Sequence, residues 1–317
     1  VLGTQEHLKN PSITNIKNYH KTWYVPNNMA ICLSGDFNPD EMIAIIDKYF
    51  GDMQPNPNLP KLEFPKEKEI TEPIVAEVVG LEAESVFLSW RFPGAGHPDG
   101  EKLELLSQIL FNGTAGLFDL NLIQQQKVLY GLCTPFTMSD YSAFIMYGGP
   151  KQGQTLEEVK DLFFTELKNL REGNFDEGLL EGILNTYKRS QQMQLESNDS
   201  RADMFVNSFV NGTNWADEVG RMERLANITK QDIVDFANKY LNENNCAIIY
   251  KRQGVDPNEM KIDKPQITPI FMNRDTASAF LTEIQQTPVA PIEPKFLDYD
   301  KDIVKLQTAT GVPVLYT

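Results

Sequence analysis

The sequence predicts an α+β fold in which helices pack on one face of a mainly antiparallel sheet, built from duplicated domains. Three observations lead there. Strand-like and helix-like stretches are grouped, strands in hairpins and helices after them, whereas a nucleotide-type parallel sheet would alternate them. The runs Tyr130–Met138 and Tyr141–Gly148 are separated only by Ser139-Asp140, and strands joined that tightly are antiparallel. Finally, Ser12–Leu33 can be laid over Thr229–Tyr250 without a gap, at an offset of 217 residues (229 − 12).

At that offset Ser12 meets Thr229, Ile16 meets Ile233, Tyr19 meets Phe236 and Trp23 meets Tyr240. Asn27-Asn28 then meets Asn244-Asn245, and Ala30-Ile31 meets Ala247-Ile248. Each copy reads as a Ser or Thr cap, apolar residues four, seven and eleven positions on, an Asn-Asn turn and a short apolar strand. Gap-free recurrence of one such unit marks duplication. The second copy closes a long orderly stretch and the first stands almost at residue 1, so the first domain is expected to lack its front.

In chain order, residues 1–53 read as helix, strand and a second helix. The latter opens at Asn38-Pro39-Asp40-Glu41, a cap followed by proline and first-turn acids, and carries Met42, Ile45, Ile46, Tyr49 and Phe50 on one stripe. Pro55, Pro57, Pro60 and Pro65 mark an extended linker. Strands follow at Ile74–Val79 and Ser85–Phe92, the second alternating Val86, Leu88, Trp90 and Phe92 toward one face. Helices are expected at about 99–110 and 116–126, ahead of the hairpin. The box Thr155-x-x-Glu158 starts another helix, with the stripe Leu156, Val159, Phe163, Leu167 and Leu170. More helices fill about 176–241, and strand Cys246–Tyr250 completes the set. Residues 254–296 hold six prolines around one helical stretch, Arg274–Gln286, and read as a connector. Asp300–Thr317 ends in a turn at Thr310-Gly311 leading into a strand with nothing after it to pair with, as if a third unit starts and is cut.

Composition narrows the partners. The 317 residues are 41% hydrophobic and 23% charged, enough to bury a core, and the formal charge is −15. A mean field of that sign repels phosphate backbones and anionic headgroups, so no nucleic-acid partner is expected. No apolar stretch approaches the ~20 residues that cross a bilayer, which argues against membrane insertion. Cys32, Cys133 and Cys246 lie far apart in apolar runs and read as buried fillers.

Chemistry is harder to find. Zinc hydrolases hold histidines at helical or turn spacing with a glutamate between them. His7, His20 and His97 are mutually remote; His20, beside Ile16 and Trp23, reads as a packing histidine and the others as solvated loop residues. A Gly-x-Ser-x-Gly elbow is absent. Gly149–Thr155 lacks the Gly-Lys-Ser/Thr ending of a phosphate loop, and Pro150 removes an amide donor. The acidic pairs Glu82/Glu84, Glu157/Glu158 and Glu177/Glu181 read as solvated faces or helix starts. The residues alone therefore assign no catalytic and no metal-ligating position.

Two tracts carry a resemblance. Leu2-Gly3-Thr4-Gln5-Glu6, Ser12-Ile13, Tyr19-His20, Tyr24-Val25-Pro26-Asn27-Asn28-Met29-Ala30 and Ser34-Gly35-Asp36-Phe37 resemble the end of the catalytic domain of insulinase/pitrilysin metallopeptidases. The loop Pro93–Asp99, Leu103–Leu110, Asn112–Phe118 and Lys127-Val128-Leu129-Tyr130-Gly131 are similar to that family's second, non-catalytic domain. The resemblance implies the mitochondrial-processing-peptidase-like metallohydrolase fold. It also implies zinc held by an inverted His-x-x-Glu-His helix and a later glutamate, whose place is upstream of Val1. The family pairs an Arg and a Tyr seven residues apart to assist the transition state. Tyr130 fits the tyrosine, but Ile123 stands where the Arg would be, so Tyr130 is retained only as a substrate-binding candidate and weighs more as a structural residue.

The organisation expected is therefore 1–54 as the end of a truncated catalytic-type domain, 55–69 as linker and 70–254 as a complete non-catalytic domain. Residues 255–296 follow as connector and 297–317 as the start of a third domain. On this resemblance the chain supplies wall and hinge to a peptide-degrading chamber, has no cofactor of its own, belongs to a parent holding Zn, and is inactive alone. Its partners would be peptide or unfolded polypeptide and the remaining domains of the same protein, in a bacterial periplasm or cell envelope. The competing reading is a non-enzymatic scaffold or partner subunit of the same fold with a decayed metal site.

Overall fold

The computed structural model describes residues 4–257, 263, 266, 275–291, 293–294 and 296–316. The chain divides into two compact units, Val1–Ile262 and Asp263–Thr317.

The first unit opens with three capped helices. Thr4 caps α1 (Gln5–Lys9), Ser12 Oγ caps α2 (Ile13–Trp23), and the Asn38 side chain accepts from the amides of Asp40 and Glu41 to start α3 (Pro39–Phe50). An extended stretch without helix or strand leads to β1 (Ile74–Gly80) and β2 (Ser85–Pro93). There follow α4 (Gly100–Leu110), the hairpin β3 (Tyr130–Thr137) and β4 (Tyr141–Gly149), and α5 (Leu156–Arg171). The helices α6 (Glu177–Glu196), α7 (Asn198–Asn211), α8 (Trp215–Val219), α9 (Arg221–Ala226) and α10 (Lys230–Tyr240) precede β5 (Cys246–Gln253).

Sheet order is β1-β5-β2-β4-β3. Only β1 and β5 run parallel; β2 pairs antiparallel with both β5 and β4, and β4 with β3, so the sheet is mainly antiparallel. Period two sends Val86, Leu88, Trp90 and Phe92 of β2 with Phe144 and Met146 of β4 to one face, all buried. Onto that face pack α4 and α5, the latter through its buried stripe Leu156, Val159, Phe163, Leu167 and Leu170. Helix α10 lies against α4 and α5, with Phe236 stacked on Phe92 at 5.6 Å. Helices α6 and α9 cover α4 from outside, held by Arg221 on Glu104 and Arg224 on Glu101. Burying each such large apolar side chain stabilises by roughly 1.5–3 kcal/mol.

The repeated unit recurs down to its hydrogen bonds. Ser12 and Thr229 each accept the amide three residues on, from Asn15 and Asp232. Tyr24 and Leu241 close the two helices with the same ψ of 70°. Asn28 Nδ2 donates to Trp23 O at 2.9 Å, and Asn245 Nδ2 to Tyr240 O at 2.9 Å. Surroundings differ: Ile233, Phe236 and Ala237 are buried, whereas Ile16 and Tyr19 are 58% and 62% exposed.

Several expectations need correction. The strand expected within Ala30–Leu33 does not form; the segment is extended without a ladder, because no described strand runs beside it, while its counterpart β5 lies between β1 and β2. The helix expected over 116–126 shrinks to a π-type turn at Asp119–Ile123, with Gln124 N bonding to Asp119 O at 2.9 Å. The buried Asp119 carboxylate turns back to accept the amides of Asn112 (3.0 Å) and Gly116 (2.9 Å), which ties the preceding loop onto this turn.

In the second unit Ser278 caps α11 (Ala279–Gln286). The connector expected over 255–296 falls partly outside the described residues, as does Arg274, from which the helix was to start. The terminal strand does have a partner: β6 (Val304–Gln307) and β7 (Pro313–Tyr316) form an antiparallel hairpin, so the pairing strand comes before the turn and not after it.

Candidate functional site

Among the described residues the helices that pack closely on the sheet do so on the face of the core, and alternation decides what the second face presents. Phe87 of β2, Tyr147 of β4 and Tyr130 of β3 point there, opposite in phase to the core positions. All three are half-buried. Phe87 and Tyr147 stack at 4.3 Å, Tyr130 lies 5.3 Å from Tyr147, and the Tyr130 hydroxyl donates to the Tyr147 hydroxyl at 3.0 Å. Tyr130 stands opposite Gly149, where a Cβ would come within 2.4 Å of the Tyr130 ring. Glycine is thus what gives the ring its seat.

Burial, then the bond to Tyr147, pushes the Tyr130 phenol up to about 12. It stays neutral at physiological pH, so it gives and takes hydrogen bonds but does not serve as a base. Seven residues earlier, Ile123 packs against the core at the end of the π-type turn, and no charge accompanies Tyr130 from that position. What the face can do is hold apolar side chains against an aromatic floor with two hydroxyls on it. The sequence singles out Tyr130 as a candidate. Phe87 and Tyr147 were not singled out; their signal was aromatic character at the off-phase positions of well-marked strands.

The three histidines do not fit a zinc site. His7 belongs to α1 and not to a loop, because its Nδ1 accepts the Thr4 amide at 3.4 Å in a capping box. His20 stacks on Tyr24 at 4.7 Å on an exposed helix face and packs into no core. His97 Nδ1 accepts the Asp99 amide at 3.1 Å in a turn. Among the described residues no group of three His, Cys, Asp or Glu is placed to hold a metal ion. Cys133 and Cys246 are buried and their thiols raised by burial, whereas Cys32, expected in a strand, is half-buried in the extended segment.

Of the acidic pairs, Glu157/Glu158 serves structure, and Glu177 stands in the first turn of α6. Glu158 closes the α5 capping box, and Glu157 bonds Arg252 at 2.6 Å, which lowers its pKa. The Gly149–Thr155 loop is tied down by a bond within it, Lys151 N to Gln154 Oε1, and by one to the chain ahead of β3, Gln154 Nε2 to Lys127 O. It borders a wide-mouthed cleft of about 500 Å³ whose wall includes Glu158 and Asp161, an unfavourable surround for phosphate.

A family model described as peptidase M16 inactive domain matches residues 12–187, more than half of the chain. The zinc protease PqqE of Helicobacter pylori is 21% identical over 258 residues, 78% of this chain and 57% of that protein. A solved protease from Helicobacter pylori superposes with a TM-score of 0.74 at 20% identity, covering 79% of this chain and 61% of its own. The periplasmic protease PqqL from Escherichia coli gives 0.62 at 14% identity, covering 99% of this chain and 36% of its own. The chain thus spans about half the length of the curated relatives it matches.

Proposed function

The chain belongs to the peptidase M16 family through its inactive domain, and from that we propose that it is a non-catalytic middle portion of a zinc-dependent endopeptidase. Its zinc ligands and water-activating glutamate lie in sequence preceding residue 1, and no step of peptide hydrolysis runs through the residues described. Residues 70–254 supply part of the wall of an enclosed chamber. The observation that carries this reading is the sheet face of Phe87, Tyr147 and Tyr130, opposite the helix-covered core and built of half-buried aromatics suited to apolar side chains of an unfolded polypeptide. Tyr130 is a substrate-contacting residue in this reading, not a catalytic one. Residues 55–69 and 255–296 act as connectors, the second as hinge, between this domain and its neighbours at 1–54 and 297–317. The similarity to a protein described as a periplasmic protease supports an envelope setting.

Zinc stoichiometry and cleavage of a quenched fluorogenic peptide, run on the full-length gene product beside the 1–317 chain, test it. The full-length protein is expected to hold about one zinc and to cleave, and the 1–317 chain to do neither. Cleavage and zinc in the 1–317 chain would overturn the placement of the site. Two inert, metal-free proteins would leave the scaffold reading.

A further inference from the structure

The second sheet face extends beyond its aromatics. Arg91 of β2 and Tyr141 of β4 share the phase of Phe87 and Tyr147 on the same strands. The Arg91 guanidinium lies over the Tyr141 ring at 5.2 Å. At about 3.3 Å per residue, Arg91 stands roughly 13 Å from Phe87 along β2. Across this pair runs the chain itself. The Glu67 amide donates to the Tyr141 hydroxyl at 2.9 Å, and the Arg91 guanidinium donates to the Lys68 carbonyl. Residues 66–68 are extended, without helix or strand, and Glu67 and Lys68 are exposed. Both contacts are therefore made to backbone, one to an amide and one to the carbonyl of the next residue. Any extended polypeptide presents that pair of groups wherever it lacks proline.

We propose that Arg91 and Tyr141 form a backbone-binding subsite at the end of the aromatic face, and that residues 67–68 occupy it as a strap which an extended polypeptide displaces. The cation held on the tyrosine ring fixes a donor beside an acceptor, and neither reads a side chain. Selectivity is left to the aromatic floor some four residues away, so the subsite supplies grip without sequence preference. A strap of this kind lowers the apparent affinity for an incoming chain by the fraction of time it is seated. Releasing it strengthens binding without any new contact. The inference rests on the reading above that this face receives polypeptide, and adds what holds the main chain and what competes for the hold.

Fluorescence anisotropy of fluorescein-labelled β-casein, an unfolded polypeptide, titrated with the 1–317 chain tests it. Glu67→Pro removes the amide that Tyr141 accepts and is expected to tighten binding about fivefold. Adding Tyr141→Phe to that variant should reverse the gain, because the incoming chain loses the same hydroxyl. In the unsubstituted chain, saturating casein should speed hydrogen exchange at the Glu67 amide severalfold. That measurement needs no substitution and stands even where a variant fails to fold. Unchanged affinity in Glu67→Pro, or bound casein with exchange at Glu67 unaltered, overturns the proposal and leaves residues 67–68 a plain tether. Phe87→Ala separates this proposal from the reading beneath it. Binding that Phe87→Ala abolishes and Glu67→Pro leaves alone removes the strap and keeps the face. Binding that follows Glu67 and Tyr141 but ignores Phe87 keeps the subsite and removes the aromatic floor. Casein bound by neither the unsubstituted chain nor Glu67→Pro removes both.

Discussion

Gly148 stands where neighbouring atoms leave no room for a side chain. It lies opposite Gly131 on the helix side of the hairpin, and Phe163, itself stacked on Phe118 at 4.8 Å, fills the gap above the pair. A Cβ at 148 would fall 2.5 Å from Phe163 Cζ and 2.7 Å from the Tyr130 carbonyl oxygen, and the second of these is backbone. Gly148→Ala is therefore expected to destabilise by about 1–3 kcal/mol, read as a lower urea midpoint at unchanged slope. Tyr187 presents the opposite case. Its hydroxyl is buried without a hydrogen-bond partner; Glu104 is near enough for its charge to add to burial in raising the phenol's pKa, but that carboxylate is committed to Arg221. Since an unsatisfied buried hydroxyl costs roughly 1–3 kcal/mol, Tyr187→Phe should leave stability unchanged or raise it by about 1 kcal/mol in the same titration. A loss of more than that would mean the hydroxyl has a partner. Neither residue could have been picked out by periodicity, which reports which face a side chain takes and not what it meets there.

Helix caps were the most legible elements. Thr155 with Glu158 and Thr229 with Asp232 form complete capping boxes, because a cap is a local event that needs only residues three apart. The Asp232 carboxylate accepts the Thr229 hydroxyl at 2.5 Å and amide at 2.9 Å, and these bonds lower its pKa below the ordinary 3.8. A folded-state pKa below the unfolded one means that stability is present above the ordinary value and is lost as pH falls through the depressed one. Thr229→Ala should thus cost about 1 kcal/mol near neutral pH and clearly less at an acid pH low enough to protonate Asp232. An equal cost at both pH values would place the effect in the hydroxyl alone. Elements that depend on distant partners were the ones misread. Residues 116–126 hold a helical pattern, but Asp119 is drawn back to the Asn112 and Gly116 amides, and the turn widens. Ala30–Leu33 has strand composition, and a strand needs a neighbour that composition does not supply.

Across the whole molecule, the repeat is the feature most informative about function, since it lets one copy serve as a control for the other. Phe236 and Tyr19 occupy the same place in two units with the same cap, the same closing ψ and the same Asn-to-carbonyl bond, yet one is buried against Phe92 and Tyr240 and the other faces solvent. The sequence showed the equivalence and the family resemblance that Tyr130 helps to carry. It did not show the aromatic face, because Phe87 and Tyr147 become a surface only when β2 and β4 are paired. In the 1–317 chain, Phe236→Ala should cost about 3–5 kcal/mol and Tyr19→Ala no more than about 0.5 kcal/mol, measured by thermal or urea unfolding. If the chain is one portion of a longer peptidase, as proposed, the stripe of Ile16, Tyr19 and Trp23 is interior in the full-length protein, covered as Ile233, Phe236 and Tyr240 are by sheet and helices. Tyr19→Ala should then become a core deletion there, costing upwards of about 2 kcal/mol. A Tyr19→Ala variant that stays neutral in the full-length product would mean that the first copy kept its hydrogen bonds but lost its core. The unit would then be a surface helix, and residues 1–54 would not be the end of a packed domain.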